Sequence, residues 1–307
     1  MKKAVEIIKS GGLVAFPTET VYGLGADATN EDACLKIFQA KGRPAINPLI
    51  VHVSNLDEAK KLALFSSDAI KLASLWPGPL TMVLPKSDQC NIAKCVTAGL
   101  DTIAIRIPSH KIAQELITKS AKPIAAPSAN KSGRISSTTL NHVIKNFKNQ
   151  LFILNDTEDK TYGLESTIID LTTTKPTILR YGFITPEIIQ NILEKEVIIS
   201  TINSEIKAPG MLLKHYSPHT NLRLNASNLN EGEVGLNFDS SKLSSEFSLN
   251  LSSKGDLAEA ASNLFHYLDE LDEYCILHNI PTIAVANIPN TGIGLAINDR
   301  LNRAAAK

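Results

Sequence analysis

No Gly-x-x-x-x-Gly-Lys-Ser/Thr loop occurs in this sequence, and Gly23-Leu24-Gly25 is too short for a dinucleotide fingerprint. A nucleotide, if one binds, is therefore held by other means. The four cysteines, Cys34, Cys90, Cys95 and Cys275, show no Cys-x-x-Cys spacing. That favours free thiols over a zinc site or a disulfide framework. No apolar run is long enough to cross a bilayer. The N-terminus begins with lysines, but Glu6 and Lys9 interrupt its apolar stretch. It reads as an amphipathic helix stopped by Gly11-Gly12, not as a signal peptide. The compartment expected is the cytoplasm. An excess of one charge is missing too, with 31 Lys plus Arg against 31 Asp plus Glu. A protein that grips RNA with its whole surface is basic, so RNA binding is not expected as the main activity, and only a local basic site stays open.

What is there suits two ordinary domains: 307 residues, 43% hydrophobic and 20% charged. Up to about Pro186, short β-rich runs alternate with helical segments. Residues 13–16, 49–53, 80–84, 102–107, 124–126, 151–154, 166–171 and 177–180 read as strands. Helices are expected over 30–40, with Asn30 as N-cap and Gly42 past the end, and over 57–64, 68–75 and 139–147. Thr185-Pro186-Glu187 starts one more helix with a cap, a proline at N1 and an acid. The periodicity fades over 196–220, a linker punctuated by Pro209-Gly210 and Ser217-Pro218. Strand candidates at 221–224, 234–238, 247–251 and 282–286 then accompany helices at 256–271 and 295–306. The expectation is α/β throughout: a domain over 1–195 built on a large sheet, a linker over 196–220, and a small α/β domain over 221–307.

Several strand ends carry hydroxyls and cations. Pro17-Thr18-Glu19-Thr20-Val21-Tyr22-Gly23-Leu24-Gly25 follows an apolar strand and would offer side chains and free backbone N–H groups at a sheet edge, or form a capped turn. Lys41 lies seven residues after Cys34 and continues the buried stripe of its helix, and Arg43 follows in the next loop. Two inward cations call for an anion such as phosphate. The alternative is charge complementing the helix dipole. In the strand at 102–107, Ile103, Ile105 and Ile107 face one side, and Thr102, Ala104 and Arg106 the other. An arginine among small residues suits a polar cavity for a carboxylate or phosphate, unless the strand is an edge. Ser128, Asn130, Lys131, Ser132, Arg134 and Ser136 repeat the theme after a small-residue strand, as do Ser166 and Arg180. Convergence of several such strand ends favours one shared anionic site. His215 and His219 are spaced like a metal pair, but Pro218 prevents a regular helix and no acid is near. An aromatic, hydrogen-bonding flap is the better reading.

Together these segments resemble the threonylcarbamoyl-AMP synthase family in its long two-domain form. The resemblance rests on Pro17-Thr18-Glu19-Thr20-Val21-Tyr22-Gly23-Leu24, Lys41-Gly42-Arg43-Pro44, Asn47-Pro48-Leu49, His52-Val53 and Trp76-Pro77-Gly78-Pro79-Leu80-Thr81. It continues through Ile105-Arg106-Ile107-Pro108, Pro127-Ser128-Ala129-Asn130, Ser166-Thr167-Ile168-Ile169-Asp170 and Leu179-Arg180-Tyr181-Gly182. Pro209-Gly210-Met211, His215-Tyr216-Ser217-Pro218 and the ending from Gly292 to Ala305 mark the long form. The resemblance implies a YrdC-like catalytic domain with a large twisted mixed sheet and flanking helices, followed by a smaller Rossmann-like α/β domain.

It further implies a nucleotidyltransferase that turns L-threonine, bicarbonate and ATP into threonylcarbamoyl-AMP and pyrophosphate. Other, threonylcarbamoyl-transferring proteins would then modify the adenosine beside the tRNA anticodon, so direct tRNA contact is not required. By the same resemblance Thr20, His52, Arg106, Ala126 and Ser166 would surround threonine. Arg43, Asn47, Thr102, Ser128, Asn130, Ser136, Arg180 and Tyr216 would hold ATP, with Lys41 and Arg43 as the catalytic cations. Mg²⁺ is expected with ATP, held by phosphates and water, so no protein metal site is expected. Tyr216 would make the linker a lid. Two other readings are an RNA- or tRNA-binding module without turnover and a carbamoyl-adenylate domain of hydrogenase maturation. Neutral charge argues against the first; the lack of zinc-finger-like cysteines argues against the second.

Overall fold

The computed structural model describes residues 1–44, 46–155, 162–200, 208–209 and 215–306. The first part of the chain folds around a mixed sheet of ten strands among the described residues, in the order β10-β9-β8-β4-β5-β3-β6-β2-β1-β7. These are β1 (Val14–Phe16), β2 (Gly23–Asp27), β3 (Ile50–His52), β4 (Leu80–Pro85), β5 (Thr102–Arg106), β6 (Ile124–Ala125), β7 (Phe152–Ile153), β8 (Thr167–Asp170), β9 (Thr177–Arg180) and β10 (Ile198–Ile199). The helices are α1 (Lys2–Lys9), α2 (Glu31–Lys41), α3 (Leu56–Leu62), α4 (Ser67–Leu72), α5 (Lys111–Ser120), α6 (Leu140–Phe147) and α7 (Pro186–Leu193).

The period of two along the central strands sorts the sheet into a greasy face and a working face. Val51, Ile103 and Ile105 enter the large core with Cys34 and Ile37 of α2, Leu72 of α4 and Ile189 of α7. On the other face α1 and α5 cover one flank, packing Ile8 and Leu116 on Phe16 and Ile124. Ile50, Val83, Ala104 and Ile168 form a smaller apolar patch beside them. The rest of that face is closed by the second part of the chain.

Local chemistry explains the helix ends. The Asn30 side chain accepts from the Ala33 N–H, Glu31 and Asp32 complement the first turn of α2, and Gly42 ends it at φ 64°. Asn55, Ser66 and Thr139 cap α3, α4 and α6 in the same way.

Sequence and structure part company at three places. The glycines at 23 and 25 do not offer free N–H groups at a sheet edge; they belong to β2, paired antiparallel with β1. The Phe16 ring lies across them, and a Cβ at Gly25 would come within 2.6 Å of Phe16 and 2.8 Å of Ile124. The helix α5, unread in the sequence, is capped by His110, whose Nδ1 accepts from the Ile112 N–H. The stretch expected as a linker, 196–220, includes the short strand β10, which pairs parallel with β9. The segment 210–214 lies outside the described residues.

The second part carries a four-stranded, all-parallel sheet in the order β11-β14-β12-β13, formed by β11 (Asn221–Ala226), β12 (Glu233–Asn237), β13 (Ser248–Asn250) and β14 (Thr282–Ala286). Helices α8 (Leu257–His278) and α9 (Gly294–Ala305) flank it. The helix expected to stop near residue 271 runs to His278, where Asn279 ends it at φ 57°. This second core also takes in Val21, Ile135, Leu164 and Tyr216 from outside its own sheet. The two parts thus share apolar packing at the edge of the working face.

Candidate active site

Arg106 ends β5 on the working face, next to His52 of β3 across the parallel ladder. Its Nη1 donates to the Thr20 hydroxyl at 2.9 Å and its Nε to the Gly78 carbonyl at 3.3 Å. Nη2 lies 2.7 Å from the Glu19 carboxylate, an ion pair whose angle falls short of a hydrogen bond. Thr20 is held by a local turn in which the Thr18 hydroxyl donates to the Val21 carbonyl at 2.6 Å. Arg180, at the end of β9, donates through Nε to the Ser166 carbonyl at 3.0 Å and through Nη2 to its hydroxyl at 3.1 Å. The Ser166 hydroxyl also meets that of Thr81 at 2.7 Å. Arg43, just beyond α2, donates to the carbonyls of Asn47 and Pro48 at 3.1 and 2.9 Å.

Thr18, Thr20, Arg43, His52, Arg106, Ser166 and Arg180 line one cavity, whose wall also includes Tyr22, Ala126, Pro127, Ser128, Glu165, Pro209, His215 and Tyr216. Arg43, Arg106 and Arg180 are all buried, and Glu165 is the one carboxylate among its described lining residues. Burial, and then the nearby Arg180, lower the Arg43 pKa to about 9. Burial and then Arg43 hold Lys41 well below the ordinary lysine value. Burial lowers Arg180 as well. The cavity therefore holds positive charge that its own carboxylates do not balance, and an anion would relieve the cost. His52 is pulled down to about 3 by burial and then Arg106, so it is neutral at pH 7. Its Nδ1, like the Tyr216 hydroxyl, has no hydrogen-bond partner among the described residues.

A larger cavity, about 520 Å³, lies away from all of this, lined by Thr29, Glu58, Lys61 and Lys122 among others. Its lysines already pair with Glu58 and Asp27 at 2.7 and 3.1 Å. It brings no such surplus of charge.

Two family models match the chain. One, for Sua5, YciO and YrdC proteins and described as telomere recombination, spans residues 6–182; the other, the threonylcarbamoyl-AMP synthase C-terminal domain, spans residues 184–306. A curated threonylcarbamoyl-AMP synthase from Pyrococcus abyssi is 40% identical, covering 98% of this chain and 93% of its own. The chain belongs to the threonylcarbamoyl-AMP synthase family. The Bacillus subtilis synthase is 35% identical over 99% of this chain and 92% of its own. The crystal structure of Pyrococcus abyssi Sua5 complexed with L-threonine superposes with a TM-score of 0.89 at 37% identity, covering 99% of this chain and 93% of that one.

Of the residues that resemblance to the synthase family singled out, Thr20, Arg43, His52, Arg106, Ala126, Ser128, Ser166, Arg180 and Tyr216 line the cavity. Lys41, Asn47, Asn130 and Ser136 stand behind it. Lys41 Nζ donates to the carbonyls of Ser128 and Asn130, so its charge braces the 128–130 loop and does not open onto the cavity. Asn130 donates to the carbonyls of Lys131 and Arg134, and Ser136 donates to Glu165. Thr102 is elsewhere. It pairs with Pro85 at the start of β5, and at ~3.3 Å per residue it stands about 13 Å from Arg106.

Two residues of this synthase-family chain escaped the sequence reading. Glu165 directly precedes the Ser166-Thr167-Ile168-Ile169-Asp170 motif, but nothing in its spacing marks it as a lining residue. Arg300 was legible in principle. It falls on the buried stripe of α9 with Ala296, Ile297, Leu301 and Ala304, the same kind of misplaced cation that drew notice at Lys41.

Proposed function

We propose that this protein is an L-threonylcarbamoyladenylate synthase, a nucleotidyltransferase that joins L-threonine, bicarbonate and ATP with release of pyrophosphate. The observation that carries the reading is the surplus of buried cations around one cavity, Arg43, Arg106 and Arg180 against Glu165, in a chain of this family. Arg106, steadied by Thr20, Gly78 and Glu19, is suited to a bidentate pair with the threonine carboxylate. Ala126, His52 and Ser166 would shape the rest of the threonine end. Arg43, Arg180, Ser128 and Tyr216 would take the nucleotide, with Asn47, Asn130, Ser136 and Thr102 assigned there by family likeness alone.

The chemistry needs no side-chain nucleophile. Threonine's amine adds to CO2 with loss of a proton, or to bicarbonate with loss of water, and an oxygen of the resulting carbamate attacks the α-phosphorus of ATP as the bond to pyrophosphate breaks. Positioning and charge neutralisation by Arg43, with Lys41 behind it, would supply most of the catalysis. Mg²⁺ would arrive with ATP. Among the described residues no cluster of three His, Cys, Asp or Glu could cage it. Glu165 is already engaged by Ser136 and Arg300, which favours phosphate and water ligands.

Free space inside the cavity is about 40 Å³, room for a water or so, far less than a nucleotide occupies. Tyr216 and Pro209 would have to draw back to admit substrates, which supports the linker as a lid. We accordingly divide the chain into a catalytic domain over 1–195, a lid over 196–220 and a supporting domain over 221–307. Among the described residues no helix is long and apolar enough to cross a membrane. The cytoplasm, with its ATP and threonine, is the proposed setting. The product would pass to proteins that transfer the threonylcarbamoyl group to tRNA.

The test is pyrophosphate release with ATP, bicarbonate and single amino acids. Release that needs both bicarbonate and threonine, with threonylcarbamoyl-AMP detected by mass, is expected. Release indifferent to threonine would sink the substrate assignment. Tight, salt-sensitive tRNA binding with no ATP turnover would replace the enzyme by a binding module.

A further inference from the structure

Arg300 is the largest fully buried side chain of the chain's described residues, and it comes from the second part of the molecule. Its Nε donates to Glu165 Oε2 at 2.9 Å, its Nη2 to the Tyr181 carbonyl at 2.8 Å and its Nη1 to Asp299 at 2.6 Å. The guanidinium lies over the Tyr216 ring at 5.1 Å. The other Glu165 oxygen accepts from the Ser136 hydroxyl. One rigid fork thus ties α9 to the turns before β8 and after β9 and to the aromatic ring that closes the cavity. A buried ion pair adds little to stability compared with a well-packed apolar pair, so stability alone is a weak reason for this charge.

We infer that Arg300 is a positioning residue of the active site, which holds the Glu165 carboxylate away from Arg43 and Arg180 so that those cations stay free for ATP phosphates. The inference rests on the synthase reading above. Glu165 is the one acidic group among the described residues that line a cavity otherwise rich in cations, and Arg180 already hydrogen-bonds the neighbouring Ser166. Freed of Arg300, a buried carboxylate must take up a proton or turn to another cation, and Arg180, the next charge that stabilises it, is at hand. Arg180 and Arg43 are the lining cations outside the Arg106–Glu19 pair. Glu165 would then occupy the place of a phosphate, an internal competitor. Burial opposes ionisation of Glu165, but Arg300 and next Arg180 outweigh it and hold its pKa at about 2, so the carboxylate stays charged. Among the described residues Arg300 hydrogen-bonds or pairs with Glu165, Tyr181 and Asp299 and not with Arg106, Thr20 or His52, so the threonine end is expected to be left alone.

The experiment compares wild type, R300A, R300K, E165Q and R300A/E165Q in the full chain. Calorimetry measures ATP and threonine affinities separately, and pyrophosphate release measures turnover. R300A is expected to weaken ATP binding about tenfold or more and threonine binding less than about twofold. Adding E165Q to R300A should restore most of the lost ATP affinity, because the competitor is gone; a merely structural loss would not be rescued by a second lesion. Should R300A fail to fold, R300K, which keeps the charge but not the fork, is expected to weaken ATP binding about threefold with threonine unmoved. Equal losses for both ligands, no loss at all, or a double variant no better than R300A would overturn the clamp. Wild type that binds ATP but releases no pyrophosphate with threonine would sink the synthase reading and leave the clamp to be judged on ATP affinity. Wild type that binds no ATP would end both.

Discussion

Arg106 shows how one side chain can be both satisfied and available. Its Nε and Nη1 are committed to Gly78 and Thr20, and Glu19 balances the rest of the guanidinium without a well-aligned bond. On the proposed reading, threonine's carboxylate would compete for that last edge at modest cost. Arg106→Ala should therefore raise the threonine KM by about a hundredfold and change the ATP Kd far less, since a buried charge-assisted pair contributes about 3 kcal/mol. Equal effects on the two substrates would remove its assigned role. Gly182 makes a second point. A Cβ there would meet the Thr167 nitrogen at 2.3 Å and the Glu165 carbonyl at 2.7 Å, both backbone atoms. Gly182→Ala should push the Glu165–Thr167 turn out of place and cost at least about tenfold in kcat/KM; an unperturbed variant would show that the turn can give. Arg106 was legible because a strand has a period of two, which sets this arginine with Thr102 and Ala104 on the face opposite the isoleucines. Glu165 was not, since its partner on α9 is 135 positions away.

At the scale of elements, much of the α/β order was readable from caps and alternation, while β2 and α5 were hidden. Glycines weaken a strand signal, and Gly23 and Gly25 are glycines because the Phe16 ring needs their space. The end of the linker was legible only as a break in pattern. What holds it is Asp272 of α8, whose carboxylate accepts from the His219 and Thr220 N–H groups at 2.9 and 2.8 Å and from the Thr220 hydroxyl at 2.7 Å. Asp272→Ala strands buried donors and should cost about 3 kcal/mol, read as a drop in the thermal midpoint and in the denaturant midpoint. The neighbouring pair of Lys145 with Glu273 is more exposed, and Glu273→Ala should change stability by less than about 1 kcal/mol. If the two variants were equally destabilised, the anchoring role of Asp272 would be wrong.

Across the whole molecule, three buried histidines impose a pH dependence. Burial, the first cause in each, pulls His52 and His215 down to about 3 and His142 to about 4, with Asp269 pushing back on His142. In the unfolded chain they titrate near 6.5. Below that value the unfolded state binds protons that the folded state refuses, so stability falls as pH falls. Each histidine contributes about 1.4 kcal/mol per pH unit, in a window between about 6.5 and the folded values. Glu165, held at about 2, adds loss in the same direction below its unfolded value near 4.5. The thermal midpoint should decline steeply from pH 6.5 to 5, and His142→Gln should remove about a third of that slope. A midpoint flat from pH 7 to 5 would contradict the buried, neutral state of these rings.

The clamp between Arg300 and Glu165 has a consequence for synthesis. A ribosome delivers the ten-stranded sheet ahead of α9, so the sheet can emerge and collapse while α9 is still within the tunnel. Until Arg300 arrives, the carboxylate at 165 is unclaimed and the lid lacks the ring-stacking partner on α9. On the proposed reading, the nascent sheet would spend that interval with its pocket self-blocked, and would gain full ATP affinity only when α9 docks.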